Sequence, residues 1–397
     1  MNLRFAGSAA TAVAIVAACL AFASPAEAGG GLGGGYEGYG PYTREAVVYF
    51  RCAHTRRQRA CLIKQTLRLL RSHGPAHELP RIDRYVLDTT GGYFLNHCHG
   101  LMHTIGRRYG QMVHVTLARL RQYLPRSNNP GCSAGFAHGL LTYLGPQIIK
   151  IGPKGAAAQC ATALTRYQRY SCIHGLGHAY MRLFGELFGY ALRWCRALGP
   201  GNAVDCAQGV YHDYWISLSG MDNTHRPAHA KTSPRALCGS QPRMFVRGCW
   251  YRAFIEHPPP RKLHSAGDLL AVCRKVHGLQ REACVTAASV IASDDPFHQL
   301  RICAKLDGRL AVDCAHGVQV WNTAGARMWY QVSLVRLCAS FDRRSRTGCY
   351  SWLGKTLNVV LNGRFGPHGC PRLHRQAARA ACARGARSYE SPLVTFS

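Results

Sequence analysis

Carboxylates are scarce in this chain: nineteen Asp and Glu stand against forty-nine Lys and Arg in 397 residues, a formal charge of +30. That scarcity argues against calcium, magnesium and carboxylate-bridged iron, which take oxygen-rich donor sets. Sustained alternation of apolar and polar residues is missing and Val/Ile/Thr clusters are few, so strand signals are absent. Beyond the N-terminal leader no apolar run approaches the ~18 residues that a transmembrane helix requires. No two cysteines lie closer than nine residues, which removes Cys-x-x-Cys redox, zinc-knuckle and covalent-haem signatures. His-Glu-x-x-His and a phosphate-binding glycine loop are lacking as well. The stretch Gly131-Cys132-Ser133-Ala134-Gly135 has the spacing of a nucleophile elbow. An elbow needs a strand-turn-helix setting, and here a cysteine and a helix start take its place.

What is present begins with a leader. A short basic region to Arg4, an apolar segment from Phe5 to Ser24 and Ala26-Glu27-Ala28 before Gly29 read as a secretory signal over 1–28. Val16-Ala17-Ala18-Cys19 also has the form of a lipoprotein box, but the apolar run continues through Leu20, Ala21 and Phe22. Soluble export to a secreted or periplasmic, extracytoplasmic location is therefore preferred over a lipid anchor. Residues 29–42 are glycine-rich and read as a flexible tether.

Eighteen cysteines follow the leader, an even number suited to a disulfide framework in an exported chain. Cys160/Cys172, Cys195/Cys206, Cys238/Cys249, Cys273/Cys284, Cys303/Cys314, Cys338/Cys349 and Cys370/Cys382 are spaced by eleven or twelve residues, and Cys52/Cys61 by nine. Cys98 and Cys132 remain for each other. Successive pairs recur every 30 to 43 residues, the period of helical solenoids. In one copy, Leu187–Cys195 is apolar at helical spacing, Gly199–Asn202 turns the chain, and Asp205-Cys206 is expected to cap and open the next helix. The fold expected is all-α: a solenoid of disulfide-stapled helix hairpins. Its repeats fall at 43–220 and 236–390, parted by a loop at 221–235 that contains Pro227 and Pro234. Each short loop closure stabilises by roughly 2–3 kcal/mol.

With its regular cysteine pairs, the span Cys160–Cys382 resembles the cysteine-rich, Sel-like members of the tetratricopeptide superfamily, which are exported solenoids with one disulfide per helix pair. The resemblance implies a concave binding face and no particular site residue, because cysteine spacing in that family is shorter. Only eight of the forty-nine basic residues are lysine. Arginine on such a face suits an anionic envelope polymer or a protein partner. No nucleic-acid motif accompanies it.

The second helix of the hairpins carries the chemistry. Glycine at +3 and histidine at +6 from the cysteine recur in Cys132/Gly135/His138, Cys172/Gly175/His178 and Cys206/Gly209/His212. Gly100 and His103 keep the Gly-x-x-His spacing one copy earlier. Elsewhere the +6 position is Leu67, Ile255, Val290, Val320, Lys355 or Ser388. Two copies add a histidine four residues earlier, giving His99/His103 and His174/His178. Imidazoles at that spacing lie about 40° apart on one helix face and can share a metal.

Two readings fit the ladder. The histidines are either inherited core residues with glycines for close packing, or ligands in a site. Later repeats keep their cysteines and replace the histidine freely, which favours a site made of His99, His103, His138, His174, His178 and His212. An all-imidazole set suits zinc or copper, with catalysis or a coupled copper pair as further options. Asp213, beside His212, is expected to point elsewhere by one helical step. Tyr180, Tyr211, Tyr214 and Trp215 flank the ladder as groove or core. His225/His229 surround a proline and read as loop, and His316 as structural. The rival function is a non-catalytic scaffold for an anionic polymer or protein partner.

Overall fold

The computed structural model describes residue 52 and residues 57–88, 93–124, 132–163, 166–185, 187–219, 233–256, 263–292, 296–318, 335–336, 338–343, 345–360, 370 and 373–387. The leader, the Cys19 box, the tether, His225, His229 and all but the last three residues of the 221–235 loop lie outside them. Among the described residues every regular element is helical and there is no strand, which the missing alternation in the sequence anticipates. No described helix is long and apolar enough to cross a membrane.

The elements are α1 (Gln58–His73), α2 (Pro75–Asp88), α3 (Tyr93–Val113), α4 (Leu120–Tyr123), α5 (Cys132–Tyr143), α6 (Gly145–Ala161), α7 (Arg166–Leu183), α8 (Phe188–Ala197) and α9 (Pro200–Ser219). They continue as α10 (Pro234–Gly239), α11 (Arg243–Glu256), α12 (Ala266–Val272), α13 (Gly278–Ala292), α14 (Pro296–Cys303), α15 (Gly308–Gly317), α16 (Arg346–Val360) and α17 (Gln376–Arg387). Helices α3, α5, α7, α9, α11, α13, α15 and α16 form a row, each packed on the next, and α17 closes it on α16. The intervening α6, α8, α10, α12 and α14 each pack on the helix that follows.

Local chemistry sets the helix starts. Ser233 accepts a hydrogen bond from the Ala236 N–H and opens α10; Ser265 accepts from the Asp268 N–H and opens α12. At α9 the expectation is corrected. The helix starts at Pro200, so Asp205 sits inside it rather than at its cap. Gly199 takes a left-handed φ of 92°, and proline's fixed φ then suits the first helical position.

All nine bridges pair as expected. The seven with eleven- or twelve-residue spacing join a helix or turn to a cysteine inside the helix that follows, mostly its seventh residue. Cys98–Cys132 is different: it ties α3 directly to α5, two members of the row. Half-cystines are buried throughout both apolar clusters, one reaching from Cys52 to Ala287 and the other from Leu263 to Cys382.

Candidate metal centre

The four helices α3, α5, α7 and α9 approach closely because glycines face backbone. A Cβ on Gly139 would collide with the carbonyl oxygen of His103, and one on Gly209 with that of His174. Gly135 stands in the same way against His99. Each glycine therefore lets the neighbouring histidine-bearing backbone come into contact, and the imidazoles of successive helices converge. Of the Gly-x-x-His glycines, Gly135 and Gly209 make this backbone contact, Gly175 packs on Leu141 and His138, and a Cβ on Gly100 would meet nothing within 4 Å.

All six histidines singled out in the sequence come together. Ring centroids of His103 and His178 are 4.6 Å apart, His138 and His178 4.9 Å, His174 and His178 5.1 Å, and His178 and His212 5.0 Å. His99 lies 4.8 Å from His103 and 5.2 Å from His212. Five of the six are buried, and His99 is half-buried at the margin. Donor atoms of His99, His103, His138 and His178 all fall within 4.8 Å of one another, as do those of His174, His178 and His212.

Facing nitrogens identify the atom each ring offers. Nε2 of His103 lies 3.1 Å from Nε2 of His99 and 3.3 Å from Nδ1 of His138. Nε2 of His174 lies 3.4 Å from Nδ1 of His212. The outward nitrogens have other partners. Nε2 of His138 meets the Ser171 hydroxyl at 3.3 Å, and Nδ1 of His174 meets the Tyr170 hydroxyl at 3.4 Å. His178 is the most constrained. Its Nδ1 lies 3.2 Å from Oδ1 of Asp213, which also accepts from Nε and Nη2 of Arg182 at 3.3 Å. A carboxylate so placed holds the proton on Nδ1 and leaves a lone pair on Nε2. That Nε2 is buried and has no hydrogen-bond partner among the described residues.

No protein-family model, curated protein or solved structure matches this chain. The function has to be read from the geometry.

Burial drives the imidazoles neutral. Desolvation, reinforced by neighbouring histidines and by Arg182 or Arg252, holds His103, His138, His174 and His212 well below the ordinary histidine value of 6.5. Burial also lowers His178, opposed by its hydrogen bond to Asp213. Neutral imidazole is the form that ligates metal.

Asp213 corrects the sequence reading. It does not point away; from α9 it reaches across to His178 on α7. The expectation followed its own helix, one step round from His212, whereas its partner comes from the preceding repeat. Tyr170, four residues before His174, and Ser171 were also not foreseen; only the one-turn Tyr170 spacing offered a signal. Gln208 holds the place relative to Gly209 that His174 holds relative to Gly175, and its buried amide has no partner among the described residues.

The flanking aromatics belong to the core rather than to a groove. Tyr180, Tyr211, Tyr214 and Trp215 are buried in the larger apolar cluster. Tyr180 packs edge-on to Trp194 at 5.2 Å, and Tyr211 packs on Phe188 at 5.2 Å. Ser133 is buried within α5, so the 131–135 spacing presents no exposed nucleophile.

Proposed function

We propose that this chain is an exported, disulfide-stapled helical-repeat protein that holds a transition metal, zinc or copper, among His99, His103, His138, His174, His178 and His212. One observation carries the reading: Nε2 of His178, whose Nδ1 faces Asp213, is buried without a hydrogen-bond partner among the described residues, in a ring with four other imidazoles 4.6 to 5.1 Å away. A buried nitrogen left without a hydrogen bond costs about 1–3 kcal/mol, and a metal ligand bond removes that cost. The donors are all imidazole, which suits zinc and copper over hard cations. A metal-bound histidine whose other nitrogen is held by a carboxylate is a recurrent way of fixing ring orientation and raising ligand basicity. Nine disulfides fit maturation in an oxidising compartment.

Protein matured under oxidising conditions and dialysed against zinc or copper should retain metal in elemental analysis, and His178→Ala should lose it while keeping its helical circular dichroism. Wild-type protein with only background metal, before and after reconstitution, overturns the proposal. A His178→Ala variant that retains wild-type metal does the same for the assigned role of this ring.

A further inference from the structure

The site is built twice. His99 and His103 on α3 form a His-x-x-x-His pair, and His138 on the next helix of the row, α5, completes a triad. His174 and His178 on α7 form a second such pair, completed by His212 on α9. The two triads share a plan: a one-turn pair on one helix and a single histidine from the following repeat. Within the first, ring centroids are 4.8 to 5.2 Å apart; within the second, 5.0 to 5.6 Å. The triads also face each other, with His103 against His178 at 4.6 Å and His138 against His174 at 5.0 Å.

Six imidazoles exceed what one ion uses. Zinc takes about four ligands at ~2.0–2.1 Å when bound by imidazole. The two groups of mutually close donor atoms have only His178 in common. His178 cannot bridge two ions, because its Nδ1 is engaged by Asp213 and a neutral ring then has a single lone pair on Nε2. An assignment of His178 to the first group would leave His174 and His212 as a bare pair. Assigned to its own repeat, it gives each ion three nitrogens.

Resting on the metal-site reading above, we infer that the cluster is dinuclear, with one transition-metal ion held by His99, His103 and His138 and a second by His174, His178 and His212. Three protein ligands leave each ion an open position. Ions in two-metal sites lie about 3.5–4 Å apart, close enough for one small ligand to span both. His99, the half-buried member, marks the side nearest solvent.

The experiment uses full-length, disulfide-intact protein loaded with Cu(II) or Zn(II). Elemental analysis should give two ions per chain. Cu(II)-loaded wild type should show a coupled-spin signal, or fewer spins than copper ions. His103→Gln and His212→Gln should each retain one ion, and each copper form should give one uncoupled spin per chain. One ion per wild-type chain, or two copper ions behaving as isolated spins, overturns the dinuclear assignment and leaves the metal-binding function standing. No ion at all removes both. Wild-type stoichiometry and spin state decide the matter even where a variant does not fold.

Discussion

Oδ1 of Asp213 on α9 lies 3.2 Å from Nδ1 of His178 on α7, and Arg182 donates to that same oxygen. The contact crosses between two repeats and fixes which nitrogen of His178 faces the other imidazoles. Asp213→Asn keeps the shape but weakens this hold, since an amide can present its NH2 group to Nδ1 and favour the wrong tautomer. The expected result is a loss of metal affinity of roughly 10–100-fold, read by competition with a chelator of known strength. Unchanged affinity would show that the tautomer of His178 is set by something else.

Gly209 separates packing from ligation. A Cβ there would meet the backbone carbonyl of His174, which cannot swing aside as a side-chain tip can. Gly209→Ala should cost about 1–3 kcal/mol by overpacking and lower metal affinity by moving α9 away from α7. Gly189 on α8 is a matched control, because a Cβ there meets nothing within 4 Å. Gly189→Ala should be neutral or slightly stabilising, as glycine is disfavoured inside helices. Thermal melts of the two variants test the contrast, and equal melting temperatures would contradict it.

Acid should destabilise the metal-free protein. His103, His138, His174, His178 and His212 all have folded values below the ordinary 6.5. Below pH 6.5 the unfolded chain therefore binds protons that the folded chain resists. The stabilisation is fully present above that pH and is lost as pH falls towards the folded values. Each histidine contributes a slope of up to about 1.4 kcal/mol per pH unit. Melting temperatures of chelator-treated protein from pH 8 to pH 5 should hold and then drop steeply. A flat profile would mean that the rings are not buried and neutral.

The disulfides divide into two kinds. Cys195–Cys206 staples one hairpin, and replacing both cysteines with serine should cost roughly 2–3 kcal/mol with a smaller effect on metal binding. Cys98–Cys132 links two histidine-bearing helices beside His99, so the same replacement there should lower both stability and metal affinity. Denaturant melts and metal titrations of the two double variants read the difference; identical affinity losses would refute the division.

The primary sequence by itself determined the scaffold. The even cysteine count and the 30-to-43-residue recurrence specify stapled helical hairpins, because a short closed loop between two apolar helical segments leaves the chain few other ways to bury them. The four-copy Gly-x-x-His pattern likewise marked His103, His138, His178 and His212, and the one-turn spacing added His99 and His174, since residues copied in register tend to stack when repeats stack. Only the tertiary structure decided how those rings meet. A helix-by-helix reading sends Asp213 away from the site, whereas packing against α7 brings it onto His178. It also decided that Tyr180, Tyr211, Tyr214 and Trp215 join the core, because their faces turn towards apolar partners that sequence spacing cannot locate. Which nitrogens of these rings face one another depends on distances between helices that are far apart along the chain, and folding alone sets those distances.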